Sequence, residues 1–175
     1  MIARYFRGFE PRPRPAVILH TWLFWTMPQS QHKQDDLRST AERFAKSLDA
    51  DDFQAASKFL SPDCQYSVRD KTLEGPAAII ESYREASQKA RRLFDGVEYG
   101  SEIVEVGPQH VVVKYWDRIE KDGHSHVYTS LQQLTFGHDG RIVRALHREI
   151  PGERESLTAF MKQRSVESDG NDKTA

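Results

Sequence analysis

Residues 131–147 read LQQLTFGHDGRIVRALH, two β-rich runs joined by an Asp-Gly pair. Asp-Gly tolerates the positive φ angles of tight turns, so this stretch predicts an antiparallel hairpin. Its second strand, continued to residue 150, lacks the usual alternation of apolar and polar side chains. Leu146 shares one face with Arg144 and Arg148, whereas Val143 shares the other with His147. This pattern indicates a strand that is covered on both faces.

The elements around this hairpin follow a regular order. A second Asp-Gly pair, at residues 122–123, joins β-rich runs at 110–119 and 126–136, and another strand is predicted over 97–106. Upstream, apolar spacing predicts a helix that begins at an N-cap of Asp35 or Asp36. A short helix over 51–60, a strand over 64–69 and a long helix over 74–94 come next. The order α-α-β-α-β-β-β-β, with a C-terminal helix, predicts an α+β domain.

Composition excludes several classes of protein. The chain has 175 residues, enough for one domain with a core, and its 25 Lys+Arg against 26 Asp+Glu argue against nucleic acid as a partner. Cys64 is the only cysteine, so no internal disulfide forms, and a reducing compartment such as the cytoplasm is expected. No apolar run reaches the roughly 18 residues of a membrane helix, so no membrane association is expected.

The two ends of the chain differ from the middle. Residues 1–35 predict an irregular arm, because residues 4–15 are basic and rich in proline. The apolar run that follows loosely resembles a signal peptide, but it contains a histidine and no small-x-small cleavage site follows it. Alternatively, translation begins at Met27 and residues 1–26 are not made. We predict a domain over 36–151, a helix over 152–165 and a disordered tail over 166–175.

Three stretches of this sequence resemble the nuclear-transport-factor-2-like superfamily, which includes SnoaL-like polyketide cyclases and ketosteroid isomerase. FAKSLDADDFQAASKFLSPDCQYSV (44–68) resembles its two-helix opening into a strand, and LEGPAAIIESY (73–83) its third helix. Residues 131–147 resemble its final hairpin. The resemblance covers 36–151 and implies a cone, in which a curved antiparallel sheet wraps around helices and encloses a pocket. It also implies that the outer face of the sheet often forms a dimer.

The catalytic positions of the isomerases are not retained in this chain. The position of their base is Val68, and those of their two oxyanion donors are Phe44 and Gln132. The resemblance therefore argues against steroid isomerisation. In SnoaL-like members the last strand carries an acid/base aspartate, and its place here is His147. A histidine can perform the same proton transfer, with a pKa nearer neutrality.

Two-residue turns at both Asp-Gly pairs would fix which side chains share a face. Asp117 would lie opposite Tyr128, and Gln132 opposite His147. The resemblance makes this face the pocket, lined by Tyr115, Asp117, Tyr128, Ser130, Gln132, His147 and Glu149, with Tyr66 and Tyr83 added from other elements. The opposite face is predicted to form a homodimer through Trp116, Leu131, Arg144, Leu146 and Arg148. A one-residue slip would exchange the two faces.

These residues support two hypotheses. In the first, His147 is a general base oriented by Asp117 or Glu149, and Tyr128 or Gln132 stabilises charge on a substrate oxygen. The protein would then be an isomerase, cyclase or dehydratase of a small apolar carbonyl compound, without metal or cofactor. In the second, the same network only satisfies buried polar groups, and the domain is a noncatalytic ligand-binding or dimerisation module.

Overall fold

The structure is a computed structural model, which describes the backbone of residues 23–171 and the side chains of residues 32–163. In chain order its elements are α1 (Leu23–Asp49), α2 (Phe53–Ser57), β1 (Leu60–Val68), β2 (Lys71–Glu74), α3 (Gly75–Leu93), β3 (Gly96–Val106), β4 (His110–Lys121), β5 (His124–Phe136), β6 (Ile142–Glu149) and α4 (Glu153–Asn171). The α+β fold class predicted from the sequence is confirmed.

Six strands form one curved sheet in the order β2-β1-β6-β5-β4-β3. Neighbouring strands are antiparallel except β1 and β6, which run parallel. The sequence predicted an antiparallel sheet and therefore missed this parallel pair. Helix α3 and four further strands separate β1 from β6 along the chain, so no tight turn forces these two strands to run antiparallel.

The helices lie against one face of this sheet and supply the core. In α1, Leu37, Ala41 and Phe44 are buried at helical spacing, and Ile79 and Ile80 of α3 are buried against the same cluster. Apolar side chains from β1, β4, β5 and β6 complete the core. Burial of these helical faces against the sheet stabilises the domain through the area removed from water.

The turn between β4 and β5 is the predicted two-residue turn. Asp122 and Gly123 have φ of 51° and 72°, as this hairpin type requires. Asp117 lies opposite Tyr128, and Tyr115 lies opposite Ser130. The predicted register of this pair of strands is therefore confirmed.

The turn between β5 and β6 differs from the prediction. Gly137 N–H donates to Arg141 O, so residues 138–140 form a three-residue loop in which Gly140 has a φ of 77°. The extra loop residue is offset by a bulge, since the register shifts between Thr135 and Phe136. Past the bulge, Gln132 lies opposite His147, as predicted.

Other boundaries also differ from the prediction. Helix α1 begins at Leu23, so Asp35 and Asp36 lie within it and the predicted N-cap is wrong. The polar residues before Leu37 include good helix formers such as glutamine and lysine, which extend the helix beyond its apolar part. Strand β2 was missed, because four residues are too few to show a periodic pattern. Helix α4 continues to Asn171, into the predicted tail, while residues 1–22 and 172–175 lie outside the described residues.

Candidate functional site

A cavity of about 230 Å³ lies between the helices and the concave face of the sheet. Strands β4, β5 and β6 supply one wall, because their alternate side chains point towards the helices. The end of α1, Phe53 of α2 and one face of α3 supply the other wall. All residues predicted from the sequence to form the site line this cavity except Glu149.

Glu149 lies at the end of β6 and binds two arginines instead. Its Oε1 accepts from Arg69 Nε at 2.8 Å and from Arg154 Nη2. These hydrogen bonds, first that of Arg154 and then that of Arg69, lower the pKa of Glu149. Glu149 thus lies outside the cavity lining, with its carboxylate bound by one arginine of the β1–β2 turn and one of α4, and its role in binding substrate stays a prediction.

His147 lies in the cavity but lacks the carboxylate partner predicted for it. Among the described side chains, neither Asp117 nor Glu149 forms an ion pair or hydrogen bond with it. Burial lowers the pKa of His147 below 6.5, an effect that the charge of Glu149 opposes and that of Arg69 supports. At neutral pH the imidazole is therefore uncharged and able to accept a proton.

Asp117 is a carboxyl group of the cavity wall whose acidity is weakened by its surroundings. Burial, and next the negative charge of Asp49, raise the pKa of Asp117 from 3.8 to about 6. Its position on β4 places it opposite both Tyr99 of β3 and Tyr128 of β5. No described lysine or arginine forms an ion pair with it. A carboxyl group in such a setting exchanges its proton near neutral pH.

Asp49 and Tyr99 also line the cavity, and both were missed in the sequence. Asp49 is the last residue of α1, a position that apolar spacing alone does not single out. Tyr99 lies opposite Asp117 on β3. Its alternation with Ser101 on one face of β3 was the available signal, but no turn fixed the register of this strand.

Asp51 lies in the turn after α1 and connects that turn to α3. Its φ of 54° is unusual for a residue other than glycine. Its Oδ2 accepts from Arg91 Nη2 at 2.5 Å, and the Arg91 guanidinium lies over the Tyr99 ring, 5.6 Å from its centroid. The charge of Asp51 is thus matched by an arginine, unlike that of Asp117.

Tyrosines and Gln132 form the polar part of the cavity wall. Tyr83 of α3 stacks on Tyr66 of β1, with ring centroids 5.2 Å apart, and its hydroxyl oxygen accepts from Gln132 Nε2 at 2.7 Å. Burial raises the pKa of Tyr66 to about 12 and also raises that of Tyr83 well above 10. Both phenols therefore remain protonated and can act only as hydrogen-bonding groups at neutral pH.

Three buried polar atoms of residues that line the cavity have no hydrogen-bond partner among the described residues. These are the hydroxyl oxygens of Tyr99 and Tyr115 and Oε1 of Gln132. Gln132 is only 2 % exposed, and a buried polar atom without a hydrogen bond is destabilising by about 1–3 kcal/mol. A bound molecule with a hydrogen-bonding oxygen would satisfy such atoms.

The outer face of the sheet has a different character. Trp116 and Leu131 are half-buried, Arg144 and Arg148 are exposed, and Val127 is 45 % exposed. Trp116 lies flat over Gly100 of β3, where an added Cβ would overlap its ring atom Cζ2. Part of the surface of the Trp116 ring is thus buried against its own chain.

Two further findings concern the described residues as a whole. No group of three histidine, cysteine or acidic side chains lies close enough together to hold a metal ion within the described part of the chain. No helix within the same residues has the length and apolar character needed to cross a bilayer.

The fold and its cavity define a class of small α+β proteins, the nuclear-transport-factor-2-like proteins, in which a curved sheet and helices enclose a pocket. An NTF2-like protein with a cystatin-like fold from Novosphingobium aromaticivorans superposes with a TM-score of 0.54 at 17 % identity, covering 77 % of this chain and 93 % of its own. Within this class, residues 41–145 match the SnoaL-like domain, so the chain belongs to the SnoaL-like family.

Other solved structures share this fold at low sequence identity. A candidate polyketide cyclase from Xanthomonas campestris pv. campestris has a TM-score of 0.56 at 14 % identity, over 75 % of this chain and 98 % of its own. TerC, co-crystallised with polyporic acid, has a TM-score of 0.55 at 14 % identity, over 73 % of this chain and 98 % of its own. Among curated protein sequences none matches this chain significantly.

Proposed function

We propose that this protein is a cofactor-free acid–base catalyst that isomerises, cyclises or dehydrates a small, mostly apolar carbonyl compound. One observation carries the proposal: the Asp117 carboxyl, with a pKa raised to about 6, shares a cavity with the unpartnered hydroxyl of Tyr115. A proton acceptor near neutrality and a hydrogen-bond donor are the two groups that enolisation of a carbonyl compound requires.

Each residue has a role in this reaction. Asp117 takes the proton from the carbon next to the carbonyl group, and Tyr115 donates a hydrogen bond to the oxygen as it gains negative charge. Protonated Asp117 then returns this proton, to another carbon in isomerisation or to the leaving hydroxyl in dehydration. His147, neutral because burial lowers its pKa, is the second base and accepts a proton where a substrate hydroxyl must lose one. Tyr128 and Gln132 orient the substrate. This assignment makes Asp117, rather than His147, the primary base.

The charge of the cavity favours a neutral ligand. Asp49, Asp51 and Asp117 line it, whereas no lysine or arginine does among the described residues. An anionic substrate would be repelled by these carboxylates, and its desolvated charge would lack a counterion. The crystal of TerC with polyporic acid supports the view that this fold can hold a small organic molecule.

The reaction can be tested without knowing the natural substrate. The full chain is incubated in D₂O with a panel of small alicyclic and aromatic ketones, and loss of the proton next to the carbonyl group is followed by NMR. Exchange that is lost in Asp117→Asn and kept in Glu102→Gln, a surface carboxylate paired with Lys114, supports the proposal. Equal exchange in the wild type and Asp117→Asn would rule out Asp117 as the base.

A noncatalytic module is the second candidate, and the unpaired state of His147 favours it. No described carboxylate binds the imidazole of His147 and orients it, as would be expected of a catalytic base. If this candidate is correct, ketones of the panel bind, with chemical-shift changes at Gln132 and Tyr115, but no exchange follows. Binding without exchange at any pH between 5 and 9 would assign the domain to ligand binding alone.

We also propose that the outer face of the sheet pairs with a second copy of the chain. It combines half-buried Leu131 and Leu146 with exposed Arg144 and Arg148, a mixture typical of interfaces. Leu131→Glu should produce monomers in sedimentation velocity, since a charge would be buried at the contact. Leu131 is a better probe than Trp116, which also packs over Gly100. A wild-type protein that sediments as a monomer would contradict the proposal.

A further inference from the structure

Asp49, at the end of α1, is a carboxylate fixed in one orientation at the edge of the cavity. Its side chain is only 11 % exposed. Its Oδ2 accepts from Ser101 Oγ at 2.6 Å and from Lys46 Nζ at 3.2 Å. Two donors on one oxygen, one of them cationic, fix the position of this carboxyl group.

The pairing of β3 with β4 brings Ser101 close to Asp117, and with it the Asp49 side chain that Ser101 binds. Ser101, which holds Asp49, lies opposite Tyr115, and Tyr99 lies opposite Asp117. Ser101 and Asp117 are therefore diagonal neighbours on the same face, with Cα atoms about 7–8 Å apart in such a pair. Asp49 and Asp117 also line the same cavity. Two carboxyl groups thus approach each other from a helix and from the sheet.

We propose that Asp49 is a positioning residue, held by Ser101 at the cavity wall, whose carboxyl group acts through space on the Asp117 carboxyl group and thereby sets how readily Asp117 accepts a proton. Two carboxyl groups in one cavity repel each other when both are charged, and Ser101 and Lys46 hold the Asp49 side chain in place by hydrogen bonds. The repulsion makes Asp117 a better proton acceptor than it would be without Asp49. The inference rests on the proposed function for its purpose, because an acid–base catalyst needs a proton acceptor that works near neutral pH.

The other charged or titratable groups around Asp117 do not replace Asp49 in this role. Those that line the cavity from the α1–α2 turn, β3, β5 and β6 are Asp51, Tyr99, Tyr128 and His147, and Arg91 of α3 lies behind Asp51. Asp51 is paired with Arg91, which compensates its charge. Consistent with this, Asp49 is the one neighbouring charge that contributes clearly to the raised pKa of Asp117, after burial.

Carbon-detected NMR titration of the aspartate side chains in the full chain tests the inference. The Asp117 carboxyl of the wild type should titrate near pH 6. In Asp49→Asn the midpoint should fall towards the ordinary 3.8 but remain above it, because burial persists. Asp70→Asn, at an exposed position in the β1–β2 turn, is the matched control and should leave the midpoint in place.

A second variant tests the sign of the effect. Lys46→Met removes the cation that binds Asp49, so the negative charge felt by Asp117 increases and its midpoint should rise. The shift should be small, since Lys46 is 67 % exposed and its charge is screened by solvent. An Asp117 midpoint that stays unchanged in Asp49→Asn, or that falls in Lys46→Met, overturns the inference. Should Asp49→Asn fail to fold, the direction observed in Lys46→Met decides.

The titration and the exchange assay separate this inference from the proposed function. The midpoint of Asp117 is measured without turnover, so a midpoint that depends on Asp49 supports the inference even where no ketone exchanges. Where exchange occurs, Asp49→Asn should move the acidic limb of its pH–rate profile downward by the same amount as the midpoint. A purely structural role of Asp49 would reduce the rate at every pH and leave the limb in place.

Discussion

The two faces of the sheet differ although the same strands form both. On the outer face, charged side chains meet partners in solvent, as in Lys114–Glu102 at 2.9 Å. On the concave face, one residue along from each outer residue, the Tyr115 hydroxyl and Gln132 Oε1 are buried without a hydrogen-bond partner, and no described cation pairs with Asp117. Polar side chains on the outer face reach solvent or a partner, whereas several polar groups on the concave face reach neither. Such departures from full pairing cluster where a protein binds or reacts.

The largest effect is expected from Asp117→Asn, which tests whether the concave face is destabilising. In the folded protein the pKa of Asp117 is about 6, above the ordinary 3.8. The contribution of Asp117 to the free energy of unfolding is therefore fully present below pH 3.8 and is lost as the pH rises through 6. A neutral amide should therefore raise the free energy of unfolding at pH 8 by up to about 3 kcal/mol.

Urea unfolding at pH 8 and at pH 3.5 measures this gain, which should be much smaller at the acidic pH because both the wild type and the variant are then largely uncharged at this position. Asp70→Asn serves as the control on an exposed turn. A loss of stability at pH 8 would show that the Asp117 carboxylate has a favourable partner, contrary to the description above.

On the outer face, Gly100→Ala should be destabilising by about 1–3 kcal/mol, because the new Cβ would overlap the ring of Trp116. Thermal unfolding of a double-mutant cycle isolates the cause. In the background of Trp116→Leu, whose smaller side chain can move aside, the same substitution should cost much less. Equal costs in both backgrounds would mean that the strain comes from the backbone of β3.

Two tyrosines of the concave face make a matched pair for a smaller effect. Tyr83→Phe removes the acceptor of Gln132 Nε2 and should be destabilising by about 1–2 kcal/mol. Tyr115→Phe removes a hydroxyl without a partner and should change stability by less than about 0.5 kcal/mol, or raise it. Urea unfolding of both variants at pH 7 compares them. A larger loss for Tyr115→Phe than for Tyr83→Phe would contradict the hydrogen bonding described for the cavity.

The smallest effect is expected at the rim, where the two faces meet. Arg69→Gln should change the free energy of unfolding by less than about 1 kcal/mol, because Arg69 is 61 % exposed and Arg154 still binds Glu149. Any loss should shrink in 1 M salt, which screens exposed pairs. A loss that persists in high salt would indicate that Arg69 stabilises the rim by packing rather than by charge.

Much of the fold was predictable because its signals are local. The Asp-Gly pairs fixed two hairpins, and alternation on β4 and β5 then placed Tyr115, Asp117, Tyr128 and Gln132 on one face. The elements that escaped prediction depend on contacts between distant residues. The parallel pairing of β1 with β6 is an example, since no turn joins these strands.

The site was predictable in position but not in its electrostatics. Side-chain pairs across the cavity depend on distances of a few ångströms, which register does not supply. Hence the sequence assigned Glu149 to the pocket, whereas Arg69 and Arg154 hold it at the rim. It also gave no sign of Asp49, because the proximity of a helix end to β4 arises only from the packing of α1 on the sheet.

The bulge in β6 restores the strand register that the longer β5–β6 loop would otherwise change. The loop of residues 138–140 has one residue more than the predicted turn, and the bulge beside Thr135 and Phe136 absorbs it. Deleting His138 would shorten the loop to two residues, and His147 would stay opposite Gln132 only if the bulge persisted, because a regular β6 would bring Leu146 to that place. The bulge, and not the length of the turn alone, therefore decides which side chains of β6 face the cavity.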